Sequence, residues 1–226
     1  MSAYIHIDSA FSACRSWVER LPEIFSTNEG KVIRKARNEL REMSIEGQTV
    51  IVKSFAIPNL INQLIYGKLR KSKAERSFCY AQLLRAHGIG SPQPMAWMIL
   101  REGGLLTRSY YVSLKSTCPY TFADVVAGRV EREADVLTAI ASTTAQLHRA
   151  GMIHKDYSRG NILIGFASDG SVQIELIDLN RIRFRRSISV QQGLDNLFER
   201  LPVTPQQRQL MQQVYLEARQ GKEVDR

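Results

Sequence analysis

The chain has 226 residues, of which 44% are hydrophobic and 23% charged, a composition typical of a folded globular protein. This composition excludes a disordered tail and a low-complexity scaffold, and the length suffices for one large core or two small lobes. Lysine and arginine outnumber aspartate and glutamate by 31 to 22, and the net charge of +9 favours an anionic partner: a nucleic acid, a phospholipid surface or a phosphorylated substrate.

Neither a membrane span nor a disulfide framework is predicted. No stretch is long and apolar enough to cross a bilayer, and the N-terminus lacks the basic and apolar segments of a signal peptide. We therefore expect a cytosolic protein. The three cysteines, Cys14, Cys79 and Cys118, are odd in number and far apart, which argues against disulfides and against a structural zinc site.

The first predicted element is an antiparallel meander of three strands. The opening stretch to about Phe25 is only weakly patterned. After it, hydrophobic residues alternate in three segments separated by turns at Arg37-Asn38 and Glu46-Gly47. The three predicted strands are GKVIRKA, ELREMSI and QTVIVKSF.

A helix and a hairpin follow the meander. The basic stretch YGKLRKSKAERS leads into a helix that continues to about His87, and Gly88, Gly90 and Pro92 end it. The segments MAWMILRE and LLTRSYYVSL, joined at Gly103-Gly104, predict a second hairpin. The first half of the chain is therefore expected to form a sheet of about five strands with one inserted helix.

The second half has a different pattern. Apolar residues from Val136 to Leu147 recur at spacings of three and four, which predicts an amphipathic helix that ends at Gly151. A polar loop, MIHKDYSRGN, then precedes the apolar strand ILIGF. A turn at residues 168–170 returns the chain as VQIELID, which ends at Asp178. The remaining residues are predicted to be helical and polar.

The loop and the two strands after the helix contain a pattern suited to phosphoryl transfer. This reaction requires a cation at the nucleotide phosphates, metal ligands and a carboxylate beside the attacking hydroxyl. His154, Asp156 and Asn161 have the spacing of the kinase catalytic loop, H-x-D-x-x-x-x-N, and an apolar strand follows them. Asp178 ends the next strand, where kinases have a metal-binding aspartate. His154 itself is expected to brace the loop.

Two residues in the first half complete the kinase order. Lys53 ends the apolar run VIVK, as the phosphate-contacting lysine of kinases does, and Glu75 lies near the start of the next helix. A half-buried lysine requires a carboxylate partner, and Glu75 is the first acid after it, with Glu102 as the alternative. Any single match is weak, but five matches in order, each on the expected element, are a specific signal.

These residues lie in segments that resemble the bacterial lipopolysaccharide kinase (Kdo/WaaP) family, within the protein-kinase-like superfamily. The resemblance covers roughly residues 30–201, and the segments that carry it are ARNEL, VIVKSF, KAERSF, HGIGSPQP, HKDYSRGNIL and IDLNR. It implies an α+β, bilobal protein-kinase-like fold. A small antiparallel sheet lobe with one helix, residues 1–114, would hold the nucleotide phosphates. A reduced, mainly helical lobe, residues 115–226, would carry the catalytic loop, the metal ligands and the acceptor side.

The resemblance also implies ATP and Mg²⁺ as cofactors and a role for each matched residue. Lys53 would contact the nucleotide phosphates, and Glu75 would be its ion-pair partner. Asp156 would be the catalytic base. Asn161 and Asp178 would be the metal ligands.

Two features depart from the kinase pattern, and a third segment is expected to hold the adenine base. No GxGxxG precedes Lys53, so the turn formed by Arg37 and Asn38 is expected to cover the phosphates, because Asn adopts left-handed geometry readily. Asp178 is followed by Leu-Asn in place of Phe-Gly, which argues against a phosphorylation-switched activation loop. The hinge that would hold adenine comprises Tyr111, Val112, Ser113 and Leu114.

The implied activity is ATP-dependent phosphorylation of a sugar hydroxyl, of Kdo or heptose type, in a lipopolysaccharide precursor. Arg183 and Arg185, in a basic run just after Asp178, are expected to bind this anionic glycolipid, and peripheral contact with the inner membrane surface is expected as well. Aromatic interleaving is limited to Phe184, which argues against a specific nucleic acid partner. No obligate protein partner is expected.

Two alternatives remain open. The first is an atypical protein kinase of the RIO kind, which has a similarly reduced C-terminal lobe; the absence of a peptide-docking platform argues against it. The second is a catalytically silent adaptor that binds nucleotide, RNA or membrane. The intact Lys53, Asp156, Asn161 and Asp178 argue against the adaptor.

Overall fold

The computed structural model describes residues 2–55 and 71–221. The first part of the predicted basic stretch, residues 66–70, lies outside the described residues. The strands are β1 (Ser2–Ile7), β2 (Lys31–Lys35), β3 (Glu39–Ile45), β4 (Gln48–Phe55), β5 (Pro94–Glu102), β6 (Leu105–Leu114), β7 (Tyr120–Thr121), β8 (Met152–His154), β9 (Ile162–Phe166), β10 (Val172–Leu176) and β11 (Ile182–Phe184). The helices are α1 (Arg15–Glu19), α2 (Leu21–Ser26), α3 (Lys73–Ala86), α4 (Phe122–Val126), α5 (Glu133–Arg149), α6 (Val190–Phe198) and α7 (Pro205–Arg219).

The chain divides into two compact units. The first comprises Met1–Gln82 and Pro92–Lys115, and the second comprises Leu83–Ser91 and Ser116–Arg226. The division of roles that the sequence predicts for residues 1–114 and 115–226 stays a prediction. Among the described residues, no helix is long and apolar enough to span a membrane.

The first unit is built on a six-stranded antiparallel sheet in the order β1-β5-β6-β4-β3-β2. The predicted meander and hairpin are confirmed. The number of strands is six and not about five, because β1 pairs with β5 along the edge of the sheet, from Ser2 opposite Arg101 to Ile7 opposite Ala96. The sequence of β1 did not reveal it, since this edge strand is largely exposed and lacks a clear hydrophobic alternation.

One face of this sheet is covered by the segment that the sequence left unassigned. Val18 of α1 and Leu21 and Phe25 of α2 belong to the same buried cluster as Val52 and Val112 of the sheet. These helices have only five and six residues, so they are too short to show a helical period. We call this the covered face of the sheet.

The opposite face contacts α3. Alternation along strands places Lys53 on the face opposite Val52, and Lys53 lies opposite Tyr111 in β6, which lies opposite Trp97 in β5. Trp97 in turn lies opposite His6, whose ring meets Phe78 of α3 edge-on at a centroid distance of 4.9 Å. The helix that carries Glu75 therefore packs against the face that carries Lys53.

The second unit contains the predicted amphipathic helix, α5, whose buried face includes Val136, Ile140 and Leu147. The strands β9 and β10 pair in antiparallel, and β7 lies on the other side of β9. The expected helical content after Asp178 is present as α6 and α7.

Two short strands correct the predicted loop boundaries. Residues Met152–His154 were expected in the loop but form β8, which pairs with β11 in a region expected to be helical. Three residues per strand are too few for a recognisable alternation. The pair is closed at one end by Gly151, whose carbonyl accepts from the backbone N–H of Arg185 at 2.8 Å. Gly151 has φ of +71°, so its conformation favours glycine.

Candidate active site

The loop after β8 is held by the ring of His154, which is fully buried. Its Nε2–H donates to the carbonyl of Ile177 at 2.9 Å, and its Nδ1 accepts from the backbone N–H of Asp156 at 3.1 Å. One nitrogen donates and the other accepts, so the ring is neutral. Burial lowers the pKa of His154, which agrees with this assignment. His154 therefore braces the loop, as the sequence predicts.

Asn161 closes the same loop. Its Nδ2 donates to the carbonyl of Asp156 at 2.8 Å, and its backbone carbonyl accepts from Ile177 at 3.1 Å. The loop between β8 and β9 is therefore tied both to itself and to the residue before Asp178. Because the amide nitrogen is engaged with the loop, the amide oxygen is the side-chain atom of Asn161 that suits a cation.

Asp178 occupies a left-handed conformation, with φ of 58° and ψ of 44°, between β10 and a short 3₁₀ turn. A non-glycine residue in this region is uncommon and costs about 1–3 kcal/mol, so the surrounding structure must impose it. The Nδ2 of Asn180 donates to Oδ1 of Asp178. The sequence singled out Asp178 but not the partner that orients its carboxylate.

The donor set of Asn161 and Asp178 fits a hard divalent cation. Mg²⁺ prefers oxygen ligands and uses one or two carboxylates, with the phosphates of a substrate supplying further ligands. One amide oxygen and one carboxylate in the same unit match that preference. The described residues hold no group of three or more His, Cys, Asp or Glu that would form an all-protein metal site. The residues therefore fit Mg²⁺ held jointly with a nucleotide.

The carboxylate of Asp156 is bound by two arginines. Nη1 of Arg200 lies 2.7 Å from Oδ1, and Nη1 of Arg181 lies 3.5 Å from Oδ2. The side chains of Arg200 and Arg181 are 45% and 55% exposed, and that of Asp156 is 21% exposed. Exposed ion pairs of this kind stabilise a fold by only about 0–1 kcal/mol. Arg200 was not predicted from the sequence, since a residue 44 positions away leaves no local signal.

A chain of buried hydrogen bonds connects the loop to α5, α6 and α7. Asn196 on α6 donates from Nδ2 to the carbonyl of His154 at 3.1 Å, and its Oδ1 lies 3.0 Å from Nε2 of His148 on α5. The hydroxyl of Tyr215 on α7 lies 2.9 Å from Nδ1 of His148. The backbone carbonyl of His154 and the side-chain amide oxygen of Asn196 can only accept hydrogen bonds. Tyr215 therefore donates to His148, His148 donates to Asn196, and Asn196 donates to His154.

The ring of His148 is neutral in this chain. Burial lowers the pKa of His148 to about 4, because a charged imidazole would lose its hydration inside the unit. A neutral ring donates once and accepts once, as the chain requires. Gly193 lies where α6 passes this ring, and a Cβ there would overlap the Tyr215 hydroxyl and lie 2.8 Å from Nδ1 of His148. Only glycine allows this close approach.

In the first unit, Lys53 lies on β4 and Glu75 lies on α3, which packs on the same face of the sheet. Nζ of Lys53 lies 5.3 Å from the centroid of the Phe55 ring. Glu75, whose side chain is 21% exposed, forms an ion pair with Lys71 at 3.5 Å, one helical turn earlier. The pair predicted between Lys53 and Glu75 stays a prediction, which the shared face of the sheet supports. Glu102, the alternative acid, lies exposed at the end of β5.

We expect Lys53 and Glu75 to act as a unit in nucleotide use. Lys53→Ala and Glu75→Ala should each lower kcat/KM. The double variant should have about the same kcat/KM as the more impaired single variant, because both changes remove the same positioned charge. A double-mutant cycle measured with ATP turnover tests this. Additive losses would show that the two residues do not act together. Lys71→Ala is the matched control, since it removes only the exposed partner of Glu75.

The remaining predicted nucleotide contacts lie elsewhere in the first unit. Arg37 lines a cavity of about 270 Å³ with Lys35, Ser54 and Arg108 on the covered face of the sheet. Asn38 lies in the predicted turn, where its carbonyl accepts from the backbone N–H of Ala36 at 3.1 Å, but its φ is not positive, so it does not adopt the expected left-handed geometry. The roles of Arg37 and Asn38 at the phosphates stay predictions.

The predicted hinge lies at the end of β6. Val112 is fully buried and Ser113 is 6% exposed, while Leu114 packs partly buried against the core and donates its backbone N–H to Gln93 at 2.9 Å. The side chains of Val112 and Ser113 are thus committed to the interior. A nucleotide base at this segment would meet backbone groups or the side chain of Leu114.

Of the two predicted acceptor residues, Arg183 lies on β11 and Arg185 comes directly after the strand. Ile182 and Arg183 face His154 and Ile153 in the register of the two strands, and Arg185 follows directly. Ile182 is buried, whereas Arg183 and Arg185 are exposed. The pairing of β8 with β11 thus places the exposed Arg183 on the strand beside the one that leads into the loop of Asp156, with Arg185 at the end of that strand.

Comparison with known proteins gives one family and one fold. The lipopolysaccharide kinase (Kdo/WaaP) family matches residues 28–215. Among solved structures, WaaP in complex with acyl carrier protein is similar, with a TM-score of 0.65 and 16% identity over 95% of this chain and 89% of that chain. At this identity the likeness shows the fold alone, a mixed α/β fold with an antiparallel sheet and helices. No curated protein sequence matches the chain.

Proposed function

Because the chain belongs to the lipopolysaccharide kinase (Kdo/WaaP) family, we propose that it phosphorylates a Kdo or heptose hydroxyl of a lipopolysaccharide core precursor. Family membership makes the protein a kinase, an ATP-using phosphotransferase with an alcohol group as acceptor. The observation that carries the choice of catalytic residue is the braced loop, in which His154 and Asn161 fix the backbone of Asp156. A carboxylate on a fixed backbone can be aimed at one hydroxyl.

In the proposed mechanism, Asp156 accepts a hydrogen bond from the acceptor hydroxyl and takes its proton as the hydroxyl oxygen attacks the γ-phosphorus of ATP. The bond from the γ-phosphorus to the bridging oxygen breaks, and ADP leaves. Lys53, positioned by Glu75, would bind nucleotide phosphates. Asn161 and Asp178 would hold Mg²⁺, which supplies positive charge to the phosphates when bound.

The finer features of the fold are also proposals. We propose that the two units correspond to the two lobes of a protein-kinase-like fold, with the nucleotide phosphates assigned to residues 1–114 and the acceptor to residues 115–226. Arg37 and Asn38 would cover the phosphates, and Val112 to Leu114 would contact adenine. The register that places Lys53 on the face contacted by α3 supports the assignment of the first unit.

The acceptor and its location follow from the family. Family membership agrees with a cytoplasmic protein or one peripheral to the inner membrane, where lipopolysaccharide precursors are made. An anionic glycolipid suits the excess of basic residues. WaaP was solved in complex with acyl carrier protein, so we propose acyl carrier protein as a candidate partner to test. The expectation that no protein partner is obligatory stays a prediction.

Transfer of labelled phosphate from ATP to a purified lipid A-core precursor tests the proposed function. Arg183→Gln combined with Arg185→Gln should raise the acceptor KM and flatten its dependence on salt, because exposed charges are screened over about 8 Å at physiological ionic strength. The KM for ATP should change little. Arg15→Gln combined with Arg20→Gln removes two exposed charges from the first unit and is the matched control.

The same assay, run in parallel on protein substrates, separates the alternatives. Label on protein and none on the glycolipid would favour an atypical protein kinase of the RIO kind. Label on neither acceptor would favour a silent adaptor. Equal acceptor KM values for wild type and for the Arg183, Arg185 variant would remove β11 from the acceptor site while leaving the family activity in place.

A further inference from the structure

The carboxylate of Asp156 contacts two arginines, yet the proposed mechanism requires it to accept a hydrogen bond from the acceptor hydroxyl. Arg200 contacts Oδ1 and Arg181 contacts Oδ2, so both oxygens of the carboxylate already have a cationic neighbour. A carboxylate that accepts a hydrogen bond from a sugar hydroxyl needs at least one oxygen accessible in the right direction. The shorter contact, that of Arg200, occupies one of the accepting positions of Oδ1, so its release would leave that oxygen more open to the hydroxyl.

These arginines do not resemble a structural arginine of the same protein. Arg41 is 1% exposed, and its guanidinium donates to Glu39 and Asn28 and to the backbone carbonyls of Ile24, Phe25 and Glu29. In contrast, Asp156 is the acceptor that the structure gives to Arg200 among the described residues, and the pair is exposed. Such a pair contributes little to folding and is exchanged readily for a better anion.

The backbone beside Arg200 is nonetheless fixed. Arg200 lies two residues beyond the end of α6, whose Asn196 donates to the carbonyl of His154 in the same loop. Phe198 is 9% exposed and Leu201 is 5% exposed, so buried side chains anchor the chain on both sides of Arg200. The backbone of Arg200 is therefore anchored by buried neighbours, while its side chain is 45% exposed.

We propose that Arg200, assisted by Arg181, binds an anionic group of the acceptor next to the hydroxyl that is phosphorylated. A guanidinium matches a phosphate or a carboxylate with two parallel hydrogen bonds, which is a stronger interaction than its single contact with Asp156. When the acceptor anion takes Arg200, the Oδ1 atom of Asp156 is released to accept the hydroxyl. Acceptors with an anion in this position are thereby selected. This inference rests on the proposed function.

The test compares wild type, Arg200→Gln and Arg200→Lys on three acceptors: the intact precursor, the precursor with its phosphates removed, and the precursor with its sugar carboxyl groups reduced. On the intact acceptor, Arg200→Gln should raise the acceptor KM about tenfold or more and leave the KM for ATP within about twofold. Arg200→Lys should be intermediate, because lysine keeps the charge and loses the fork.

The modified acceptors identify the anion. Wild type should lose affinity for the acceptor that lacks the anion bound by Arg200, and on that acceptor Arg200→Gln should equal wild type. A loss confined to the dephosphorylated acceptor identifies a phosphate, and a loss confined to the carboxyl-reduced acceptor identifies a carboxylate. An Arg200→Gln penalty of the same size on all three acceptors would overturn the proposal, as would no penalty on any.

Two controls separate this inference from its premise. Arg208→Gln removes an exposed cation of α7 that packs on Phe198, and it should leave the acceptor KM unchanged. Arg200→Gln should retain the wild-type midpoint of thermal unfolding, since a purely structural role would lower it. If wild type transfers no phosphate to any glycolipid, the proposed function fails and this inference fails with it. If wild type is active and Arg200→Gln behaves identically to it, only the inference fails.

Discussion

Asp156→Asn and Asp178→Asn should each reduce phosphoryl transfer by about 100- to 10,000-fold while the protein remains folded. Asparagine keeps the size of the side chain and removes the charge, so the hydroxyl loses its proton acceptor in one variant and the cation loses its carboxylate in the other. The fold should tolerate both changes, because Asp178 is only half-buried, and the Asp156 side chain is 21% exposed with its ion pairs at the surface.

Binding of ATP should separate the two roles. Asp156→Asn should retain the affinity of wild type, whereas Asp178→Asn should lose the part of the affinity that depends on Mg²⁺. Titration of ATP with and without Mg²⁺, followed by a fluorescent or calorimetric signal, measures this difference. Equal losses of affinity in the two variants would contradict the assignment of base and metal ligand. Asp169→Asn, in an exposed turn between β9 and β10, is the charge-matched control.

Gly193→Ala should destabilise the protein by at least about 2 kcal/mol, lowering the thermal midpoint by roughly 4–8 °C. The added methyl group would overlap the hydroxyl of Tyr215 and crowd His148, and both side chains are buried. In a helix, alanine is ordinarily favoured over glycine by about 1 kcal/mol, so the expected sign is opposite to intrinsic helix propensity. Thermal or urea unfolding of the purified variant measures the change.

A second substitution tests the cause. Tyr215→Phe alone should destabilise the protein, because His148 loses its donor, but in the Gly193→Ala background it should restore part of the stability, because it removes the overlapping hydroxyl. Gly160→Ala is the control, since a Cβ at Gly160 meets nothing within 4 Å. Destabilisation by Tyr215→Phe in both backgrounds would mean that the methyl group added at Gly193 conflicts with an atom other than the Tyr215 hydroxyl.

Elements with a long, regular period could be predicted from the sequence. The 17 residues of α5 show the helical spacing over several turns, and β3 and β4 alternate over seven and eight residues. The elements that were missed are short or exposed: α1, α2, α4, β7, β8 and β11 extend over six residues or fewer, and β1 is a largely exposed edge strand. Their conformations depend on packing and pairing with distant segments, which a local pattern does not contain.

The candidate site divides in the same way. His154, Asp156 and Asn161 were predicted because the loop is contiguous and its spacing carries the chemistry. Arg200 and Asn196 were not, since they reach the loop from 44 and 42 residues away, Asn196 from within α6 and Arg200 from just beyond its end. The pattern of hydrophobic residues along a helix predicts which of its faces is buried. It does not predict which polar side chain contacts which loop.

The hydrogen-bond chain from Tyr215 to His154 also sets an order of events during synthesis. Tyr215 pairs with His148 across 67 residues, so the support of the catalytic loop is complete only after residue 215 has left the ribosome. At about 5–20 residues per second, the 59 residues from Asp156 to Tyr215 take roughly 3–12 seconds to translate. Until the end of that interval the nascent chain carries Asp156 without the complete set of buried hydrogen bonds, so the loop of Asp156 becomes fully supported late in the maturation of the second unit.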